Sequence, residues 1–203
     1  MSKRWLLFRA RCEQFFMEAD HLEAKTKQSI KIIRPEKFVD FLEYIVSAQK
    51  CPPSYRLIVG LSASMGTRIS ELLSLTKEDF IIKPDSAKAR INIKKKRFKG
   101  KAVPKMRWGA IHPCLVPLLK EKLRQIHSRD KLFNISPSAV LKQLKIMFGI
   151  TCHSLRHSAI SYLITIKKWS PEQIKNQFHF ENINTVLRYY NTSTEEDCEK
   201  IYA

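Results

Sequence analysis

The spacing of apolar residues changes once along this chain, and that change limits the folds that the chain can adopt. Helical spacing dominates residues 35–75 and returns over residues 114–190. Between these regions, residues 78–111 alternate between apolar and polar positions in "ARINIK" and carry turn residues at Pro84 and Gly100. The predicted strands are 80–82, 89–96 and 103–111. The sequence therefore predicts a mainly α fold with a small antiparallel β-sheet, which places it in the α+β class.

The predicted helices fall into three groups. Residues 5–24 are predicted to form a basic N-terminal helix, followed by a connector that ends at residue 34. Three helices are expected in "PEKFVDFLEYIVSAQK", "YRLIVGLSASMG" and "TRISELLSL", the last with Thr67 as its N-cap. The helices expected after the hairpin are 114–127, 136–147, 153–167, 172–178 and 182–190. We therefore expect a segment 1–34 followed by one domain, 35–203, that ends in a C-terminal tail.

The charge of the chain indicates a polyanionic partner. The net charge is +18, from 37 Lys and Arg against 19 Asp and Glu. Nucleic acid is the partner that we expect, because basic residues adjoin glycine or aromatic residues, and an anionic membrane surface is the alternative. In the hairpin segment "KKKRFKGK", the candidate DNA-contacting residues are Lys94, Lys95, Arg97 and Lys101.

Export and metal binding are not indicated by the sequence. No apolar run approaches the ~20 residues that a membrane span needs. The start of the chain has arginines inside its apolar stretch and no small-residue cleavage site. The five cysteines are scattered without CxxC spacing, and neither a P-loop nor a carboxylate cluster suited to magnesium is present. We therefore expect an intracellular protein that uses no metal and no other cofactor.

Four short segments, in a fixed order, carry candidate chemistry. They are "GTRISELLSL", "KKKRFKGK", "HSLRHS" and "FHFENINTVLRYY". In "HSLRHS", His153 and Arg156 are one helical turn apart and face the same side of a helix. Arg68 and Arg156 can each offer a planar fork of N–H groups to phosphate oxygens. The alternative for this segment is a core helix with a polar edge, which is compatible with the same helix offering His153 and Arg156 at its start.

Together these segments resemble those of the tyrosine recombinases, also called phage-type integrases, over residues 35–192. "G-T-R-I-S-E-L-L-S-L" is similar to the family's first box, "H-S-L-R-H-S" to its second, and "L-R-Y-Y" to its terminal R-Y. The resemblance implies the catalytic-domain fold of that family for residues 35–203. It also implies DNA cleavage and rejoining through a 3′-phosphotyrosine without metal or ATP. The low glycine count and the divergent third box resemble integrases of archaeal viruses and plasmids.

Carried onto this sequence, the resemblance implies a role for each residue. Tyr189 attacks phosphorus, while Arg68 and Arg156 bind the phosphate oxygens. His153 donates to the phosphate or helps to deprotonate the tyrosine, and a hairpin lysine protonates the leaving 5′ oxygen. Glu71 orients a catalytic base or an arginine and does not itself react.

The lysine has two candidates. In the family it lies in the turn between two strands, seven residues before a strand with a Val-Pro-like start. Lys96 stands seven residues before Val103, which favours Lys96. Lys99, beside Gly100, is the alternative.

The third box departs from the pattern of the family. It reads "Q-F-H" where "L-G-H" is common, and His179 lies ten residues before Tyr189 where nine is usual. A one-residue insertion accounts for the difference and keeps His179 as a catalytic candidate, although Phe180 occupies the unshifted position. Tyr190 is the alternative nucleophile, since neighbouring residues on a helix point about 100° apart. The "R-Y" match favours Tyr189.

The expected partner is double-stranded DNA, bound by a homo-tetramer whose subunits are monomers when free. A type IB topoisomerase-like enzyme and a non-catalytic DNA-binding protein of the same fold are the alternative functions. The tail "NTSTEEDCEKIYA" suits exchange between neighbouring protomers, which favours a recombinase over a topoisomerase. The complete set of site residues argues against a non-catalytic protein. Few residues precede position 35, so we expect either a fragment of a longer integrase or a minimal form.

Overall fold

The computed structural model describes residues 3–19, 30–84, 86–93 and 105–190, and these form nine α-helices and two small antiparallel sheets. The helices are α1 (Lys3–Glu13), α2 (Phe38–Ser47), α3 (Pro53–Met65), α4 (Ile69–Leu72), α5 (Val116–Arg124), α6 (Pro137–Phe148), α7 (Cys152–Thr165), α8 (Pro171–Phe178) and α9 (Ile183–Leu187). The strands are β1 (Phe16–Ala19), β2 (Ile30–Ile33), β3 (Phe80–Ile82), β4 (Ala87–Ile93) and β5 (Lys105–Ile111). The predicted α+β class, mainly α, is confirmed.

The N-terminal segment differs from its prediction. The helix predicted over 5–24 ends at Glu13, and the predicted connector contains β2, which pairs antiparallel with β1. Phe16 and Ala19 of β1 are buried, as are Ile32 and Ile33 of β2. The sequence pattern was ambiguous here because short apolar runs fit a helix or a strand equally well, and packing against the rest of the chain decides between them.

The described part of this N-terminal segment shares the main apolar core of the molecule. Phe8, Cys12, Phe15 and Phe16 belong to the same buried cluster as residues of α2, α3 and α6. The backbone N–H of Ile33 donates to the hydroxyl of Ser158 on α7 at 2.8 Å. The β1–β2 hairpin is therefore joined to the helix that carries "HSLRHS".

The second sheet has the strand order β3-β4-β5 and follows the predicted alternation. β3 has the predicted bounds, whereas β4 begins at Ala87, two residues before its prediction. Residues 94–104, the tip of the predicted hairpin, lie outside the described residues. The sheet lies close against α3, because a Cβ built on Gly109 would be 2.6 Å from the side chain of Ile91 and 3.0 Å from that of Met65.

The turn between α3 and α4 brings a backbone carbonyl into the interior. Gly66 ends α3 with φ +57, a left-handed conformation that glycine adopts without strain. A Cβ at this position would also be 2.5 Å from the ring of Phe178. The predicted N-cap of α4, Thr67, is wrong: Arg68 is the N-cap, because Glu71 accepts a hydrogen bond from its backbone N–H at 2.9 Å. The hydroxyl of Thr67 is instead buried without a hydrogen-bond partner among the described residues.

The C-terminal helices pack around α7, whose residues Leu155 to Ile160 are all buried. The predicted caps Ser136 and Ser170 are confirmed, since each hydroxyl accepts a hydrogen bond from the first turn of α6 or α8. The helix predicted over 182–190 is shorter and ends at Leu187. In the described ranges, no helix is long and apolar enough to cross a membrane, and no cluster of three or more His, Cys, Asp or Glu side chains has the arrangement of a metal site.

Candidate active site

Arg68, the first predicted site residue along the chain, lies at the N-terminus of α4. Its Nη1 donates to Oε1 of Glu71 at 2.8 Å, while about half of its side chain is exposed. Glu71 is 3% exposed, so its charge is held inside the protein and is balanced locally by Arg68. This arrangement fixes one edge of the Arg68 guanidinium and leaves the side chain accessible to a ligand.

Arg156 is buried in the interior beside α7, although the sequence predicted that it would be offered at the start of that helix. It is 2% exposed; Nη1 donates to the carbonyl of Gly66 at 2.8 Å and Nη2 to the carbonyl of Phe178 at 3.1 Å. Its guanidinium also faces the rings of Phe178 and Phe180, at 5.0 and 5.3 Å from the ring centroids. The aromatic rings and backbone carbonyls replace part of the hydration that burial removes.

Burial also changes the acidity of Arg156. Desolvation, together with the nearby charges of Arg68 and Arg107, lowers the pKa of Arg156 to about 10. The guanidinium therefore stays protonated at neutral pH, and it sits in a region of positive potential that favours an anion.

Arg107 of β5 is a residue that sequence reasoning missed. It is 5% exposed and donates through Nη2 to the carbonyls of Met65 at 3.0 Å and Gly66 at 3.3 Å. Desolvation lowers the pKa of Arg107 to about 10, with Glu71 opposing the shift. The available signal was the two-residue period of β5, in which exposed Met106 and Trp108 place Arg107 on the inward face.

Two histidines of α7, one helical turn apart, are in contact through their rings. His153 is exposed, and its ring packs edge-on against that of buried His157 at a centroid distance of 4.3 Å. The sequence assigned no role to His157, although its spacing of four residues from His153 puts both on one helix face. The pair therefore extends from the exposed start of α7, at His153, to the protein interior, at His157.

The two candidate tyrosines point to different partners. Tyr189 is 7% exposed, and its hydroxyl is hydrogen-bonded to Nδ1 of His157. The hydroxyl of Tyr190 donates instead to the carbonyl of Trp169. Burial raises the pKa of Tyr189, whereas the charge of Arg156 opposes that rise. Tyr189, and not Tyr190, is thus the tyrosine that lies against His157 and near Arg156.

The model of the phage integrase family matches residues 31–196, most of the chain. The chain belongs to the phage integrase family. No match among curated protein sequences was found.

Solved structures of tyrosine recombinases share the fold of this integrase-family chain. The XerH site-specific recombinase in a post-cleavage complex with palindromic difH substrate has a TM-score of 0.65 at 22% identity, over 84% of this chain and 53% of that one. The Tn1549 transposon integrase in complex with circular intermediate DNA has a TM-score of 0.57 at 16% identity, over 85% of this chain and 64% of that one. XerA recombinase has a TM-score of 0.58 at 20% identity, over 81% of this chain and 61% of that one. The chain thus spans about half the length of the XerH protein.

The third box of this integrase-family chain lies at the end of α8. His179 is half-buried and adopts a left-handed conformation, with φ +51, that ends the helix. Phe180, in the unshifted position, is one of the two residues whose rings face Arg156. The structure therefore brings both residues near the site, and the role of His179 stays a prediction.

The predicted lysines and DNA-contacting residues lie outside the described residues. These are Lys94, Lys95, Lys96, Arg97, Lys99 and Lys101. Their strands are described up to Ile93 and from Lys105, which pair with each other in the ladder. The segment that joins Ile93 and Lys105 thus leaves the same sheet that carries Arg107.

Proposed function

We propose that this chain is the catalytic part of a site-specific DNA recombinase, which cleaves and rejoins DNA through a 3′-phosphotyrosine intermediate. The observation that carries the proposal is the placement of Tyr189 against His157, on the helix whose Arg156 shares the Gly66 turn with Arg68. A phenol nucleophile and paired guanidinium groups around one helix are the components of a metal-free attack on a phosphodiester.

The exposed groups of the site are the ones that we infer to contact DNA first. Arg68 and His153 can donate to the non-bridging oxygens of the scissile phosphate, on which negative charge grows in the transition state. Arg156 lies beneath them and contributes a fixed positive charge. In this scheme Glu71 keeps Arg68 oriented and has no part in proton transfer.

The chemical step exchanges one phosphoester bond for another. Oη of Tyr189 attacks phosphorus and the bond from phosphorus to the 5′ oxygen breaks, so the 3′ phosphate becomes attached to the tyrosine. A hairpin lysine, Lys96 or Lys99, gives the leaving oxygen its proton. The phenol proton passes to Nδ1 of His157, its hydrogen-bond partner in the free chain, with the ring of His153 packed edge-on beside it. Rejoining is the reverse reaction, with a 5′ hydroxyl as the nucleophile.

The partner that we propose is duplex DNA. XerH and the Tn1549 integrase were solved as complexes with DNA, and the net charge of +18 supports the same partner for this chain. Assembly into a homo-tetramer on DNA and an intracellular location follow from this function and stay proposals.

Covalent capture tests the function without knowledge of the target sequence. The protein is incubated with a pool of nicked duplexes of randomised sequence, and adducts are isolated on a denaturing gel. The nick releases a short strand and traps the phosphotyrosine, so the wild type should yield an adduct whose DNA defines the site. Tyr189→Phe removes one oxygen and should give no adduct.

Tyr190→Phe is the matched control, because its hydroxyl bonds to Trp169 and lies apart from the site. It should form the adduct at close to the wild-type rate. An adduct with Tyr189→Phe and none with Tyr190→Phe would transfer the nucleophile to Tyr190. If the wild type forms none while binding DNA, the non-catalytic alternative is supported. Relaxation of supercoiled plasmid without a preferred site would support the topoisomerase alternative.

A further inference from the structure

Arg107 occupies an unusual position for a charged side chain. It lies on the inward face of β5 between the buried residues of β4 and the end of α3, in register with Ile91. Burying a guanidinium is costly unless it is paired with an anion or fully hydrogen-bonded. Within the described residues, Arg107 forms no ion pair with a carboxylate, and its Nη1 is buried without a hydrogen-bond partner.

The contacts that Arg107 does form are the supports of Arg156. Both guanidinium groups donate to the carbonyl of Gly66, Arg156 at 2.8 Å and Arg107 at 3.3 Å. Both also face the ring of Phe178, at 5.0 and 5.2 Å from its centroid. The carbonyl of Phe178 accepts the second hydrogen bond of Arg156. Gly66 and Phe178, the two residues whose carbonyls hold Arg156, are therefore both in contact with Arg107 as well.

Among the described residues, positive charge exceeds negative charge around Gly66. The charge of Arg68 helps to lower the pKa of both Arg107 and Arg156, that of Arg107 helps to lower the pKa of Arg156, and the carboxylate of Glu71 opposes these shifts. Within the part of the chain that the structure describes, these three cations against one anion leave a local excess of two positive charges. Because Arg107 and Arg156 are buried, such an excess destabilises the free protein and is relieved when an anion binds.

We propose that Arg107 is a positioning residue of the phosphodiester site, which fixes Arg156 through the Gly66 carbonyl and the Phe178 ring. This inference rests on the proposed function and deepens it. Loss of Arg107 lets the Gly66 carbonyl and the Phe178 ring relax, so the positive charge of Arg156 loses its fixed position beneath the phosphate. A displacement of about 1 Å at such a group can slow a reaction about 100-fold.

The test compares Arg107→Met, which keeps most of the volume and loses the charge, with Arg107→Lys, which keeps the charge. Arg90→Met is the matched control: Arg90 lies on the adjacent strand, is half-exposed and contacts Asp79, and its loss changes the net charge by the same amount. Single-turnover cleavage of the captured DNA site is measured at saturating protein, together with DNA affinity and the thermal unfolding midpoint. Arg107→Met should cleave about 100-fold more slowly. Arg107→Lys should recover at least part of that loss, and Arg90→Met should cleave like the wild type.

A methylphosphonate at the scissile position separates positioning from simple structural damage. This linkage lacks one charged non-bridging oxygen, so it gains less from a correctly held Arg156. The ratio of wild-type to Arg107→Met rates should therefore be smaller on methylphosphonate than on phosphate. Equal ratios on both substrates would overturn the proposal, as would a wild-type rate for Arg107→Met. If Arg107→Met does not fold, the same ratio is measured for Arg107→Lys.

A second measurement does not depend on DNA cleavage. The thermal unfolding midpoint is recorded with inorganic phosphate and with sodium chloride at matched ionic strength. Phosphate should stabilise the wild type and Arg90→Met more than it stabilises Arg107→Met. Equal stabilisation of all three, or none of the wild type, would contradict the proposal. If the wild type forms no DNA adduct but this difference is observed, the proposed recombinase function fails and the role of Arg107 at an anion site stands.

Discussion

At the scale of single residues, the two predicted arginines are held in opposite ways. Arg68 is half-exposed and tied to the carboxylate of Glu71. Arg156 is buried and tied to two backbone carbonyls, those of Gly66 and Phe178. The same side-chain chemistry therefore has different consequences for stability at the two positions, because removing a buried donor leaves its acceptors without partners.

Arg68→Ala and Arg156→Ala should both abolish adduct formation but differ in stability. Arg68→Ala should cost about 2 kcal/mol, because the buried carboxylate of Glu71 loses its charged donor but keeps the hydrogen bond from the backbone N–H of residue 68. Arg156→Ala should cost about 3 kcal/mol, because the carbonyl of Phe178 loses a charged donor. Urea unfolding measures the difference, and DNA affinity of the folded variants should stay close to normal. Equal stabilities would show that the buried hydrogen bonds contribute little.

Gly66→Ala should be much more destabilising than Gly149→Ala. Both glycines have positive φ, +57 and +69, so both alanines adopt a left-handed backbone at a cost of about 1 kcal/mol. At Gly66 the new Cβ also meets the ring of Phe178 at 2.5 Å, whereas at Gly149 its nearest neighbour is Arg9 at 3.7 Å. Gly66→Ala should therefore lose roughly 3 kcal/mol in total. Denaturant midpoints report both values, and similar losses would argue against the close packing of Phe178.

At the scale of elements, the three-stranded sheet links the arginines to the hairpin. β5 carries Arg107 on its inner face and continues from the basic segment at 94–104, which lies outside the described residues. The ladder pairs Ile93 with Lys105, so the segment leaves and re-enters the sheet at one end. A lysine in this segment is therefore joined through one strand to the Gly66 turn.

Lys96→Ala and Lys99→Ala test which lysine protonates the leaving oxygen. Loss of the proton donor should slow cleavage of an ordinary 5′-oxygen substrate. The same variant should cleave a substrate with a 5′-sulfur leaving group at near the wild-type rate, because a thiolate leaves without a proton. Rescue by sulfur of Lys96→Ala alone would agree with the sequence prediction. Rescue of Lys99→Ala alone would move the assignment by three residues, and rescue of neither would exclude both.

At the scale of the whole molecule, the apolar core stabilises the fold, whereas the net charge affects the binding of partners. The core is a large apolar cluster that includes the N-terminal aromatic residues and the centre of α7. The net charge of +18 is not needed to form that core, and it determines which partner the surface attracts. Duplex DNA, the partner that we propose, would balance such an excess with its regularly spaced phosphates.

Affinity for duplex DNA should fall steeply with salt. Each neutralised phosphate should add about −0.9 to the slope of log K against log salt concentration. Fluorescence anisotropy with labelled duplex at several sodium chloride concentrations gives the slope. Tyr189→Phe serves as a non-cleaving control that should have the wild-type slope. An affinity that does not change between low and moderate salt would contradict phosphate-based binding.

The sequence by itself determined the features that short-range physics encodes. Helical and alternating periodicities predicted α2 to α8 and the β3-β4-β5 sheet, because side-chain spacing reflects the geometry of each element. Ser136 and Ser170 marked helix starts, since a hydroxyl there satisfies a free backbone N–H. The four segments also indicated the family that the comparison over residues 31–196 shows.

Only the tertiary structure decided which of these groups are buried and what they touch. β1 formed where a helix was predicted and β2 where a connector was predicted, because packing of β2 against α7 stabilises strands in segments that are compatible with either structure. Arg156 and Arg107 meet at Gly66 although they lie on α7 and β5, and Phe178 from α8 lies against both. Burial of a charge depends on elements far apart in the chain, and the spacing of residues within one element carries no information about them.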